Sequence, residues 1–168
     1  MIRKLDTVGE KMNYTGKNHI ILIGWNDKSK ILIREILKFN ETIDFLVINN
    51  LEKNHLTEEN LFYIYGDPTD EKTLSQANLP EAKGVIIFAN QLTQINSDSK
   101  GTLLIDGKTL LIATALTFVQ EKLNTSIYVI AEIMNQDHIR LFNNIKVNKF
   151  ILTEEINSYE VINSLLDQ

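Results

Sequence analysis

Cysteine is absent from the 168 residues. Disulfides, thiolate nucleophiles and Cys-ligated metals are therefore excluded, and nothing in the cysteine usage points to secretion. Positive charge is also scarce. Lys and Arg number 17 against 22 Asp and Glu, a formal net charge of -5. A surface that neutralises nucleic-acid phosphates is missing, so no nucleic acid is expected as a partner. No uninterrupted apolar run approaches the roughly 20 residues of a membrane helix. The longest, such as Val85-Ile86-Ile87-Phe88-Ala89, have strand length. The opening Met1-Ile2-Arg3-Lys4-Leu5-Asp6 lacks the apolar centre of a signal peptide. With 43% apolar and 23% charged residues, the composition predicts one soluble, cytosolic globular domain with a sizeable core.

Catalytic constellations are missing too. His19, His55 and His138 lie far apart, and none sits in a His-Glu-x-x-His arrangement. His19 opens a strand at the edge away from any ligand, while His55 and His138 fall in helical stretches where a solvated face is the expectation. There is no Gly-x-Ser-x-Gly elbow and no Gly-x-x-x-x-Gly-Lys-Ser/Thr loop. Asp106-Gly107-Lys108-Thr109 lacks the upstream glycine of such a loop and reads as a helix start capped by Asp106. The expectation is that the chain is not an enzyme.

What the sequence does contain is a regular alternation. Residues 1–18 have no clear period and read as a linker or weakly ordered arm. Short runs rich in Ile, Val and aromatics then follow at His19–Gly24, Ile43–Ile48, Leu61–Tyr65, Gly84–Ala89, Ile127–Ala131 and Lys149–Leu152. Most are apolar at consecutive positions, the signature of strands covered on both faces. Helical patterns lie between them. One runs over Lys28–Phe39, capped by Asp27, with Ile31, Ile36 and Phe39 toward the core. Shorter ones cover Leu51–Glu59, Asp70–Ala77 and Gln136–Asn143, and another runs from Glu154 to Asp167. The longest, Asp106–Leu123, carries apolar residues too widely spread for one stripe. It is expected to face both the sheet and a partner, and Leu116 and Phe142 are expected on faces used in assembly. A polar insertion over Gln91–Ile105 precedes it.

This order predicts an α/β, Rossmann-like doubly wound sheet of about six mainly parallel strands with helices on both faces. Residues 19–153 form the domain, and the last helix lies in 154–168. Right-handed crossovers bring the strand C-termini to one edge, where ligands bind. The candidates there each have a functional and a plain reading. Gly24-Trp25-Asn26 is a nucleotide-binding turn with only the first glycine of Gly-x-Gly-x-x-Gly, or a simple strand-to-helix turn. Asn49 stands where an acid would hold a ribose hydroxyl, or is a turn residue. Asp67 and Thr69, in Gly66-Asp67-Pro68-Thr69, accept from a base or ribose, or serve turn and cap. Asn90 sits at the fourth strand end. Glu132 holds a cation or ribose, or is a solvated strand-end acid.

The segments His19–Asn26, Tyr65–Thr69, Ala82–Ile87, Asp106–Leu110 and Ile130-Ala131-Glu132, in that order, resemble the N-terminal RCK domain. This is the TrkA-N-like regulator of potassium conductance found in prokaryotic potassium channels. The polar insertion before Asp106 resembles bacterial two-transmembrane members in particular. The resemblance covers about residues 18–158. It implies a regulatory domain on the cytoplasmic side of a membrane, self-associating as a dimer or octameric ring and coupled to a potassium-channel pore. Residues 1–18 would link to that pore, and residues 154–168, with Ile156, Tyr159, Ile162 and Leu166 on one face of the last helix, would be a crossover or dimerisation helix reaching a partner subunit. It also implies a ligand: a nucleotide such as NAD, AMP, ADP or ATP, or a cation. The calcium set of calcium-gated members falls on Phe88, Glu132 and Met134; one carboxylate does not hold calcium, so that site is expected to be lost. A small NAD(P)-dependent oxidoreductase and a stand-alone nucleotide sensor are the alternatives.

Overall fold

The computed structural model describes residues 5–8, 11–50, 59–89, 99–154 and 158–166. Among them the chain runs β1 (Leu5–Val8), β2 (Lys11–Tyr14), β3 (Ile20–Ile23), α1 (Asp27–Phe39), β4 (Phe45–Asn49), β5 (Leu61–Tyr65) and α2 (Glu71–Ser75). It continues through a 3₁₀ turn (Leu79–Glu81), β6 (Gly84–Ile87), α3 (Ser99–Lys122), β7 (Val129–Ile133), a 3₁₀ segment (Gln136–Phe142), β8 (Lys149–Leu152) and α4 (Ser158–Leu166). Strands β3 to β8 make one sheet, all pairs parallel, in the order β5-β4-β3-β6-β7-β8. The expected doubly wound α/β sheet is therefore present, with its topological switch between β3 and β6.

The consecutive apolar runs follow from burial on both faces. Every residue of β3, β6 and β7 is buried. Ile21, Ile23, Leu46, Ile48, Val85 and Ile87 pack with α3 and the α2 region. Their neighbours Ile20, Leu22, Phe45, Val47 and Ile86 pack with α1 and α4. The strand period of two thus feeds two cores.

Several boundaries differ from expectation. Helix α1 is capped by Asn26, which accepts from the Ser29 amide while Ser29 caps back, so Asp27 is the first helical residue. Its core residues are Leu32, Ile33 and Ile36, while Ile31 and Phe39 are exposed. Helix α3 begins at Ser99 rather than Asp106, so the polar insertion's last residues are already helical. The expected helix over Leu51–Glu59 lies almost wholly outside the described residues, as do Asn90, His55 and Ile156. Helix α4 buries Val161, Ile162 and Leu165 beside α1 and leaves Tyr159 exposed. Leu116 and Phe142 are core residues, not part of an outer face.

Helix α3 explains its own unusual apolarity. Ile105, Ile112, Ala113, Leu116 and Val119 are buried toward the sheet. On the opposite side Leu103, Leu104, Leu111 and Phe118 are exposed. At 100° per residue these four fall on one arc with Gly107, Leu110 and Thr114. Two apolar faces make Lys100–Lys122 long and apolar enough by composition to cross a membrane, although half of that stretch is buried in the fold.

The segment expected as a loose arm is in part structured. β1 and β2 pair antiparallel. Tyr14 is buried and donates to Asp44 Oδ2 at 2.8 Å, and its amide donates to the Gln76 carbonyl. Asn18 N–H donates to the Glu81 carbonyl, and Asn78 Nδ2 to that of Gly16. Beside Tyr14, with ring centroids 4.4 Å apart, His19 is fully buried and its Nε2 lies 2.9 Å from the Ala77 carbonyl. Its Nδ1 is buried with no partner among the described residues. Burial outweighs the Ala77 carbonyl and the charges of Asp44 and Glu81, and holds the His19 pKa below its ordinary value.

A depressed folded-state pKa favours the neutral ring, so its contribution to stability is complete above the unfolded value near 6.5 and is lost as pH falls through the folded value. Urea denaturation between pH 7.5 and 5 is expected to show falling stability below about pH 6.5, and His19→Gln to flatten that decline. An equal decline in the variant would assign the loss to other groups.

Candidate functional site

The C-terminal ends of β3, β4 and β6 open onto a crevice at the switch point. Its walls are Ile23 and Gly24 after β3, Ile48, Asn49 and Asn50 after β4, Pro68 after β5, Phe88 after β6, and Ile105, Lys108, Thr109 and Ile112 of α3. It is a narrow cleft, with a cavity volume of only about 10 Å³. Gly24 has φ of 100°, a conformation that disfavours side chains and lets β3 turn sharply into α1. Gly66 serves another purpose: a Cβ there would lie 2.6 Å from Thr73 Oγ1, so the glycine lets α2 close on the turn after β5.

The sequence candidates divide sharply. Gly24 and Asn49 line the crevice. Asn49 is 9% exposed, and its side-chain amide has no hydrogen-bond partner among the described residues. Trp25 points elsewhere. It is buried in the core with α1 and packs edge-on against Tyr63, with centroids 5.7 Å apart. Asn26 is committed to the α1 cap. Asp67 is exposed at the rim, where its Oδ1 accepts from the Thr69 amide at 2.9 Å and hydroxyl at 2.8 Å. Those two bonds, with help from the charge of Lys108, hold the Asp67 carboxyl below the usual range. Thr69 itself faces a separate groove with Asn13, Lys72 and Lys122.

Glu132 is not a solvated strand-end acid. It is 1% exposed, and its Oε1 pairs with Lys28 Nζ from the first turn of α1. Its Oε2 accepts from the Ala89 amide at 2.9 Å. One carboxylate thus ties α1, β6 and β7 across the switch point. Of the three positions that would carry calcium, Phe88 is core and Glu132 has both oxygens engaged. Among the described residues no three His, Asp or Glu gather as a metal site.

Three polar residues went unassigned or misplaced. Asp106, expected as a helix cap, lies inside α3 and is buried. It accepts from the Met134 and Asn135 amides at 2.8 and 3.1 Å and from His138 Nδ1 at 2.6 Å. His138 is therefore no solvated residue; it helps bind α3 to the turn after β7. Lys108 enters the crevice wall one turn from Ile105 and Ile112. The i, i+3, i+7 spacing of Ile105, Lys108 and Ile112 carried that signal, but only once the helix is known to begin before Asp106.

A parallel doubly wound sheet with a crevice at its switch point defines a Rossmann-type binding domain. More particularly, the chain belongs to the TrkA-N domain family, whose model matches residues 20–153. It is 32% identical over 147 residues to YugO of Bacillus subtilis (strain 168), which carries the name of a potassium channel protein, covering 86% of this chain and 41% of that one. It is 29% identical over 120 residues to the calcium-gated potassium channel TvoK of Thermoplasma volcanium, covering 71% of this chain and 32% of that one. The chain thus spans less than half the length of either relative. In fold it matches the GsuK RCK domain, with a TM-score of 0.59 and 19% identity over 81% of this chain and 26% of that one. The TrkA-N domain of the Escherichia coli inner membrane protein ybaL gives a TM-score of 0.61 with 18% identity, covering 90% of this chain and 96% of that one. GsuK structures bound to NAD and to ADP share the fold.

The buried Glu132 charge predicts a strong dependence on Lys28. Lys28→Met should cost about 3 kcal/mol of stability in thermal or urea denaturation, because it leaves a buried carboxylate without its cation. Adding Glu132→Gln should recover much of that loss. Additive losses would mean that the pair is not coupled.

Proposed function

We propose that this chain is the regulatory, non-catalytic domain of a potassium channel, held on the cytoplasmic side of the membrane and gating a pore through its own assembly. The observation that carries the reading is the likeness to YugO along most of this chain. The crevice supports a ligand-responsive role, since it lies where open α/β sheets bind ligands. A nucleotide is the ligand class that fits, with Gly24 giving the backbone turn and Asn49 a hydrogen-bonding amide. Asp67, in the turn after β5, stands at the same edge of the sheet. An NAD(P)-dependent oxidoreductase has the fold in its favour but no acid/base pair among the described residues at the crevice.

The exposed apolar arc of α3 supports self-association. Leu111 is 61% and Phe118 55% exposed, and both come from a helix whose other face is already buried. A second copy packing α3 on α3 would cover both residues. Leu111→Asp with Phe118→Asp is expected to lower the mass measured by sedimentation while leaving the thermal midpoint within a few degrees. An unchanged mass would place assembly elsewhere.

The channel role is tested by potassium flux into liposomes holding the pore-bearing protein, whole and without residues 19–153. Flux that responds to NAD or ADP only in the whole protein supports the reading. Identical flux in both, with and without nucleotide, rules it out.

A further inference from the structure

The nucleotide reading above leaves open where a phosphate would sit, and this inference rests on that reading. In the usual Rossmann pose a phosphate docks on the free amides that open the first helix. Here one of those amides is already taken by the cap, and the turn carries a negative charge of its own. Asn26 Oδ1 accepts from the Ser29 amide at 3.0 Å, and Ser29 Oγ accepts from the Asn26 amide at 3.0 Å. Asp27 adds a negative charge in the first turn. The cations of that turn are engaged, Lys28 by Glu132 and Lys30 by Asp27.

Across the crevice the situation is reversed. Lys108 lines the space together with Gly24, Asn49 and Pro68. Among the described residues it makes no ion pair or hydrogen bond. The acid nearest in effect, Asp67, feels its charge but bonds to Thr69 instead. Asn49 lines the same crevice. A lysine and an asparagine lining one narrow space, neither side chain with a partner among the described residues, match an anionic group joined to a hydroxyl-bearing one. We propose that Lys108 binds a phosphate of a nucleotide whose ribose lies toward Asn49, with the phosphate directed to α3 and away from the opening of α1.

Isothermal titration of ADP and of adenosine, into this chain and into Lys108→Gln, tests the placement. ADP should bind the variant about ten- to hundredfold more weakly, the worth of one charge-assisted hydrogen bond. Adenosine should bind both alike, and Lys108→Arg should keep most of the ADP affinity. Unchanged ADP binding to Lys108→Gln overturns the placement and leaves the nucleotide reading standing. An equal loss for adenosine overturns it as well, since the loss would not depend on phosphate. Failure of the unaltered chain to bind either ligand overturns both readings.

Discussion

The constraint on which this structure depends is the burial of a parallel sheet on both faces. Parallel neighbours cannot be joined by tight hairpins, so each strand must be followed by a crossover that returns to the starting edge. Helices α1 and α4 cover one face, and α3 with the α2 region covers the other. Because all six strands point the same way, the loops after β3, β4, β5, β6 and β7 emerge together. The crevice is a consequence of this arrangement, set where the chain reverses its direction of winding between β3 and β6.

At that edge burial sorts polar groups into two kinds. A charge removed from water must find a partner. Glu132 finds Lys28 and the Ala89 amide, and Asp106 finds two amides and His138. These groups are consumed in joining elements: β7 to α1 and β6 in one case, α3 to the turn after β7 in the other. Lys108 and Asn49 line the crevice and have no such ties among the described residues.

Helix α3 serves two roles at once. Its buried arc completes one core, its crevice-facing residues form a wall of the candidate site, and its outer arc presents Leu103, Leu104, Leu111 and Phe118. A contact made on the outer arc and a ligand bound at the crevice would therefore act on the same rigid element.

The strand runs, their order and the doubly wound fold were legible in the sequence, because consecutive β-branched residues in short runs have few other uses than a sheet buried on both sides. Gly24 and Asn49 were legible as crevice residues for the same reason, since strand ends locate themselves once the strands are known. Trp25, Asn26, Asp106 and Glu132 were not. A Trp after a strand can turn to either face, an Asn before a helix can cap it or bind a ligand, and an acid in a helix or at a strand end can be solvated or buried. Local pattern is blind to these choices because each is settled by a residue distant in the chain, such as Lys28 for Glu132 and His138 for Asp106. The sequence by itself determined the elements and the edge where they converge, through short-range periodicity. Tertiary structure alone decided which polar groups at that edge are spent on holding it together, because the cost of a buried charge depends on what long-range packing brings beside it.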